Sequence, residues 1–448
     1  MKKPISKPEE MCLALWVHTY LSPQTERRLC CASREPAQSF KQYIDTDEGS
    51  GTYSPASLDE FWNSEYVRNI RLEMMAGKLP SACEVCDKKL LNTDVYRDYF
   101  WHLFKHKYDE VWESTDETGY TSMKPVSWDY RFSNLCNFKC RQCGDMLSSS
   151  WEAESRKHNR INWKNPQNSW LESDTRAAIK QFQETQVEQE FSAAVEEHRV
   201  EEVYWVGGEP LMYDQHWQYM QRIVELGDGP RVYARYNTNL SKIEYRGVHL
   251  FRDILSNIRD WQVCASLDGT GKIGEYIRTG LNYNEWLLNF KEGMQYQSVP
   301  NQMRIDYTIT LPGLLDAVNI FNLSKELDVQ LLTKVTFTFS DDVAMSPLLL
   351  PRDVLSAVID DILLQCKNPT WKQQSLIDTL VSLKTRPTTE EMFPDTFKQG
   401  RERAKLKIQQ LETIRGDKFT FADIISDNRL IKEWWHDIAS NKSYIAKC

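Results

Sequence analysis

The stretch RFSNLCNFKCRQC, residues 131–143, sets Cys136, Cys140 and Cys143 in a C-x3-C-x2-C spacing. It follows directly on a strand-like run, Val126 to Ser133. Cysteine thiolates are the usual protein ligands of iron–sulfur clusters, and a fully protein-ligated [4Fe–4S] cluster takes four of them. Three thiolates in one short loop can hold three corners of a cubane and leave the fourth iron open to an outside ligand.

Outward from this loop the chain alternates. Strand-like runs at 126–133, 202–206, 231–237, 260–267, 303–310 and 333–339 are separated by amphipathic stretches such as 213–226, 247–257, 283–296 and 313–326. Repeated βα units predict an α/β fold with a parallel sheet and right-handed crossovers. In such folds chemistry gathers at the C-terminal ends of the strands. The cysteine loop follows the first strand, Gly207-Gly208-Glu209-Pro210 the second, Asn237-Thr238-Asn239 ends the third, and Ser266-Leu267-Asp268-Gly269 ends the fourth. Four polar or glycine-rich signatures thus share one rim. Gly207 and Gly208 lack Cβ atoms and let backbone approach a ligand closely, while Glu209 can accept from an ammonium group. The competing reading of these four residues is a plain β-turn.

The cysteine spacing, with Asn137 beside Cys136 and the GGEP that follows, resembles the radical SAM family. The resemblance implies a partial (β/α)6 barrel over residues 122–350. It also implies a [4Fe–4S] cluster on Cys136, Cys140 and Cys143, with S-adenosylmethionine (SAM) chelated at the open iron through its amino and carboxylate groups. Reductive cleavage of SAM would release a 5′-deoxyadenosyl radical that abstracts hydrogen from a substrate. By the same resemblance Gly207, Gly208, Glu209 and Asn239 contact SAM, Ser266 its ribose or methionyl part, and Arg278 in GEYIRTG its carboxylate. A surface salt bridge is the alternative for Arg278. Two positions depart from the family: Gln142 stands where an aromatic residue usually packs on adenine, and Leu240 replaces the glycine usual after Thr-Asn. A peptide or protein substrate and a reductant such as flavodoxin or ferredoxin are the implied partners. A radical SAM enzyme acting on nucleotides or nucleic acid is an alternative.

The N-terminal segment, residues 1–115, carries a second thiol set. Met11 to Tyr20 alternates like a strand, Ser22-Pro23 turns, and Arg27 to Cys31 returns, which predicts a hairpin with Cys12 on one arm and Cys30-Cys31 on the other. Ser57 and Glu60 form a capping box, Gly77 is a helix stop, and Cys83-x2-Cys86 follows. Four thiolates suit either a structural zinc or a complete [4Fe–4S] cluster. The arrangement looks like a twitch domain, a shortened SPASM module with one auxiliary [4Fe–4S] cluster. Such hairpins usually show G-x4-C; Thr25 takes the glycine position here, and counting from it selects Cys30, with Cys31 the alternative. The implied ligands are Cys12, Cys30, Cys83 and Cys86. His102 and His106, spaced i, i+4 in the aromatic stretch Leu90 to Glu113, are read as packing residues.

At 448 residues the chain has room for two or three domains, with a helical extension over 351–448 that caps the open side of the barrel and packs on Trp434 and Trp435. A net charge of −9 gives no broad basic surface for nucleic acid. The absence of a long apolar run or a signal-like N-terminus predicts a cytoplasmic protein without a membrane span. Eleven cysteines in a reducing compartment point to ligation rather than disulfides; Cys264, Cys366 and Cys448 are read as structural. The polar stretch 148–198 is expected to be a lid or solvated padding. The reading from another class is a non-catalytic zinc- or cluster-binding protein.

Overall fold

The computed structural model describes residues 7–33, 43–44, 52–86, 96–336 and 345–438. Its centre is a mostly parallel sheet of eight strands: β1 (His18–Leu21), β2 (Arg27–Arg28), β3 (Ser127–Tyr130), β4 (Glu202–Trp205), β5 (Tyr233–Thr238), β6 (Asp260–Ser266), β7 (Met303–Ile309) and β8 (Gln330–Val335). Across the sheet they run β8-β7-β6-β5-β4-β3-β1-β2. Six strands, β3 to β8, therefore stand in chain order, as sequential βα units require. The last expected strand, 333–339, is displaced to β8, and residues 337–344 lie outside the described residues.

Eight strands stand where six βα units were expected, because the N-terminal hairpin joins the same sheet. β1 pairs in parallel with β3, His18 opposite Ser127, and antiparallel with β2, Tyr20 opposite Arg28. The long alternating strand expected over Met11 to Tyr20 is shorter. Ala14–Val17 forms one helical turn, buried throughout, and the strand begins only at His18. An apolar run buried on every side has no preference between the two periods, and packing decides. The Ser57–Glu60 capping box is present, and Gly77 adopts φ 72° after the helix Glu65–Met75.

Packing divides the chain into two compact units: Met1–Leu135, Ile161–Arg235 and Asp253–Trp261 form one, and Cys136–Arg160, Tyr236–Arg252 and Gln262–Cys448 the other. In the first unit the sheet alternates strongly. Trp128, Tyr130, Val203 and Trp205 point to one face, where Phe191 of the helix Glu188–Glu196 inserts. Its ring lies 5.4 Å from Trp128, 5.8 Å from Phe132, 5.9 Å from Trp205 and 5.0 Å from Tyr219. Edge-to-face pairs of this kind add about 0.5–1.5 kcal/mol each beyond burial. The stretch expected to be a lid or padding thus supplies a crossover helix of the core. The other face carries His18, Ser127, Asp129, Glu202 and Tyr204, in register across β1, β3 and β4.

His102 and His106 are both exposed; the His106 ring packs on buried Phe104, centroids 6.2 Å apart, with its Nε2 3.6 Å from a Glu201 carboxylate oxygen. In the second unit the helices Arg352–Gln365, Gln374–Thr385 and Phe397–Arg415 form the C-terminal part, and Trp434 and Trp435 are buried as expected. No helix among the described residues is long and apolar enough to cross a membrane.

Candidate functional site: two thiol clusters

The cysteine loop and the helix behind it fold as one piece. Ser148 caps the helix Ser149–Lys157 by accepting from Trp151 N–H, and donates its own hydroxyl to the Phe138 carbonyl at 2.6 Å. The Cys136 N–H donates to Ser149 Oγ at 3.2 Å, Ser150 Oγ donates to the Cys136 carbonyl at 2.8 Å, and Trp151 Nε1–H to the Cys140 carbonyl at 2.6 Å. The Phe138 N–H points at Cys136 Sγ, 3.4 Å away. Lys139–Cys140 forms an antiparallel ribbon with Arg278–Thr279, Cys140 opposite Arg278. Gly280, at φ 113°, closes that ribbon; a Cβ there would stand 2.9 Å from the Phe138 ring.

Arg278 is buried at the centre of this arrangement. Its Nε lies 2.7 Å from Asp268 Oδ2, and its Nη1 lies 3.8 Å from Cys140 Sγ. Asp268, fully buried, also accepts from the Thr308 N–H at 3.0 Å and from the Gln142 amide. Burial raises the Asp268 carboxyl, and the Arg278 guanidinium opposes it. The surface salt bridge considered for Arg278 is therefore a buried one, and Gln142 is engaged with Asp268. Burial pushes the Cys140 thiol up, Arg278 pulls it down, and the neighbouring Cys143 and Cys136 raise it further. Burial also raises Cys143, again against the pull of Arg278. Cys140 thus feels both neighbouring thiols, and Cys140 and Cys143 both feel the Arg278 cation.

The other predicted residues of this unit surround the loop. Asn239 donates to Asn137 Oδ1 at 2.9 Å, between the first two cysteines, and Asn137 donates to Ser241 Oγ at 2.9 Å. Leu240 adopts φ 52°, so the backbone demand that glycine would meet persists although the side chain does not. Ser266 ends β6, opposite Asp306 of β7. Gly207, Gly208 and Glu209 lie in the first unit and pack on the end of β3. A Cβ on Gly208 would stand 2.3 Å from the Leu135 carbonyl oxygen, and one on Gly207, at φ 128°, 2.9 Å from Tyr213 Oη. The Glu209 N–H donates to that Leu135 carbonyl at 2.7 Å, and its buried carboxylate accepts from the Leu211 N–H at 3.1 Å. Gly208 therefore seats the residue that immediately precedes Cys136 in the chain, while Gly207 makes room for Tyr213 and Arg131.

Sequence reasoning missed the clamp from the C-terminal part. Arg415 donates to the Lys139 carbonyl at 2.9 Å and to Thr279 Oγ1 at 3.1 Å, and pairs with Glu154 at 3.1 Å. Asp417 pairs with Arg141, whose Nε–H donates to the Tyr276 carbonyl at 2.8 Å. The RGD run 415–417 was visible as a charged helix end, with nothing local to indicate its target.

The second set lies in the first unit. Cys12, Cys30, Cys83 and Cys86 line one hollow with a cavity volume of about 30 Å³, walled by Leu15, Leu29, Met74 and Phe100. Cys83 and Cys86 sit three apart on the 3₁₀ turn Ser81–Cys86, where i and i+3 side chains eclipse. Burial drives Cys12 up to about 12 and raises Cys30, which feels Cys31, Cys12 and Cys83. Cys31 does not line the hollow; it faces Tyr96, Asp129 and Arg131. Thr25 stands at φ 65°, a true outlier for a β-branched residue, held by hydrogen bonds to the Gln24 carbonyl at 2.6 Å and to Tyr53 at 2.5 Å. None of the ten cysteines among the described residues is in a disulfide.

Among the described residues no three His, Cys, Asp or Glu side chains converge on one point as a single ion requires. A tetrahedral zinc with Zn–S of about 2.3 Å draws its thiolates to about 3.8 Å apart, whereas a cubane keeps them on separate corners. The donor chemistry of both sets, thiols with no competing carboxylate in the set, fits iron–sulfur ligation. Comparison with protein families finds no family model that matches the chain, and comparison with curated proteins finds no matching relative.

Proposed function

We propose that the chain is a radical SAM enzyme built on a partial (β/α)6 barrel. The observation that carries the reading is the grouping of Cys136, Cys140 and Cys143 in one tightly hydrogen-bonded loop after β3, with Arg278 held beside Cys140 by a buried aspartate. The chain order of β3 to β8 supports the barrel, and the positive φ of Thr25 and Leu240 is in keeping with the resemblance at both places where glycine is missing.

In this reading Cys136, Cys140 and Cys143 hold a [4Fe–4S] cluster, and Cys12, Cys30, Cys83 and Cys86 an auxiliary one, with zinc the alternative occupant of the second set. When bound, the first cluster would supply one-electron reduction of SAM and, through it, hydrogen abstraction from a peptide or protein substrate. The chain's own work is positional. Ser149, Ser150 and Trp151 fix the loop, Asp268 orients Arg278, and Arg278 places positive charge beside the Cys140 sulfur, where it favours the thiolate. Asn239 ties the third strand's end to Asn137.

Anaerobic reconstitution with iron and sulfide, followed by SAM and a reductant, tests this directly. About eight irons per chain and formation of 5′-deoxyadenosine are expected, and the Cys136/Cys140/Cys143→Ala triple variant should form none. Cleavage that survives the triple change would overturn the ligand assignment. Zinc without iron in the second set would select the alternative there.

A further inference from the structure

The polar face of the first unit's sheet contains an arginine whose surroundings the cysteine chemistry does not explain. Arg235 of β5 lies between two tyrosine rings, 4.3 Å from the Tyr99 centroid and 3.9 Å from that of Tyr204. Stacking of this kind fixes the guanidinium plane while leaving its edge free to donate. Among the described residues nothing hydrogen-bonds that edge, and its Nε is buried without a partner. The nearest carboxylate, Glu202, stands 3.7 Å from Nε. Both of its oxygens are already engaged, Oε1 by the Tyr99 hydroxyl and Oε2 by the Ser127 hydroxyl. Glu202 therefore balances charge without filling the fork.

The remaining groups on this face are matched. Arg131 grips Asp129 through two bonds of 3.1 and 3.2 Å and stacks over Tyr20 at 4.9 Å. With the Ser127 proton given to Glu202, His18 Nδ1–H donates to Ser127 Oγ at 2.7 Å, and burial lowers the His18 pKa to about 3, so it stays neutral. Among the described residues Arg235 is thus the cation of this group that has the Glu202 charge at 3.7 Å but no hydrogen bond to it. Its side chain keeps 17% exposure, enough for a small group to reach it. A planar, five-donor fork held rigid at a partly open position matches the oxygens of a carboxylate or a phosphate. A polar face of this kind is also unusual for a largely parallel sheet, whose strands ordinarily read as apolar on both sides.

We infer that Arg235, held between Tyr99 and Tyr204, anchors an oxyanion, carboxylate or phosphate, of a molecule that binds on the polar face of β3 to β5. The site goes beyond the radical reading and stands whether or not a cluster forms.

The test uses the full chain and two probes, inorganic phosphate and acetate, each titrated against chloride at matched ionic strength and read by calorimetry and thermal unfolding. Saturable binding of one probe is expected, weakened at least tenfold in Arg235→Gln. Arg235→Lys, which keeps the charge and loses the fork, should lie between. The probe that binds distinguishes phosphate from carboxylate. A readout on the unaltered protein removes dependence on the variants' folding: phenylglyoxal labelling of Arg235, located by mass spectrometry, should slow when the bound anion is present. Absence of saturable binding for both probes, binding undiminished in a folded Arg235→Gln, or labelling indifferent to the anion would each overturn the inference.

Discussion

Replacing Arg415 by methionine keeps an apolar stem and removes the guanidinium head that lies over Trp151 and holds the cysteine ribbon. The guanidinium is 1% exposed, sits 4.7 Å from the Trp151 ring centroid, and makes bonds to the Lys139 carbonyl, to Thr279 and to both oxygens of Glu154. Deleting one partner of a buried ion pair costs about 3–5 kcal/mol. Glu154 keeps Lys139 at 2.7 Å and Arg160 at 2.8 Å, so its charge is not stranded, and the lower end, about 3 kcal/mol, applies. With about 1.4 kcal/mol per tenfold change, local opening of residues 139–143 should rise somewhat more than a hundredfold. Hydrogen exchange at those amides reads this directly, and iron retained after anaerobic reconstitution and desalting reads its consequence. The Glu154→Gln variant and the double variant complete a cycle, with a coupling of about 1–3 kcal/mol expected for residues in contact. The same contacts set an acid limit. Burial pushes Glu154 up, but hydrogen bonds from Arg415 and Lys139 outweigh it and hold the carboxyl down at about 2. Its contribution is complete above the ordinary carboxylate range and is lost as pH falls from about 4.5 through about 2. Exchange at residues 139–143 unchanged in Arg415→Met would refute the clamp.

Three further outcomes follow from the same geometry. Gly208→Ala drives a Cβ to 2.3 Å from the Leu135 carbonyl, a backbone atom that cannot step aside, so iron bound by the adjacent cysteine loop should drop while the second thiol set keeps its metal; equal losses at both would refute a local effect. Cys30→Ser should remove metal from the second set and Cys31→Ser should not, since only Cys30 lines the hollow, and metal analysis of each variant in a Cys136/Cys140/Cys143→Ala background decides. His216 is fully buried, and desolvation lowers its pKa to about 3, so the unfolded chain takes up the proton first and stability is lost as pH falls from about 6.5 toward 3. The stability difference between the wild type and His216→Gln, measured by urea unfolding, should therefore shrink over that range; a constant difference would refute it.

The residues decided by themselves whatever depends on local chemistry and period. Five strands and the main helices between them fall within a few residues of their expected places, because hydrophobic spacing is a local property. The C-x3-C-x2-C loop and the C-x2-C turn were legible because short spacings are local, whereas the preference for Cys30 over Cys31 came from the resemblance, counting on from Thr25. Tertiary structure alone decided the rest. Met11 to Val17 had no strand of its own to make, since a run buried on every side carries no period, and the hairpin's place at the sheet edge came from pairing with β3. The stretch 148–198 read as a lid or solvated padding because its charges dominate its composition, yet Trp170, Leu171, Ile179, Val187, Phe191 and Val195 are buried, and Phe191 packs on the sheet. Arg415 reaches Lys139 and Thr279 across 276 and 136 residues of chain, and Arg235 meets Tyr99 and Tyr204 from three separate segments. Contacts at such separations are fixed by the fold that brings them together, and no local pattern in the sequence encodes them.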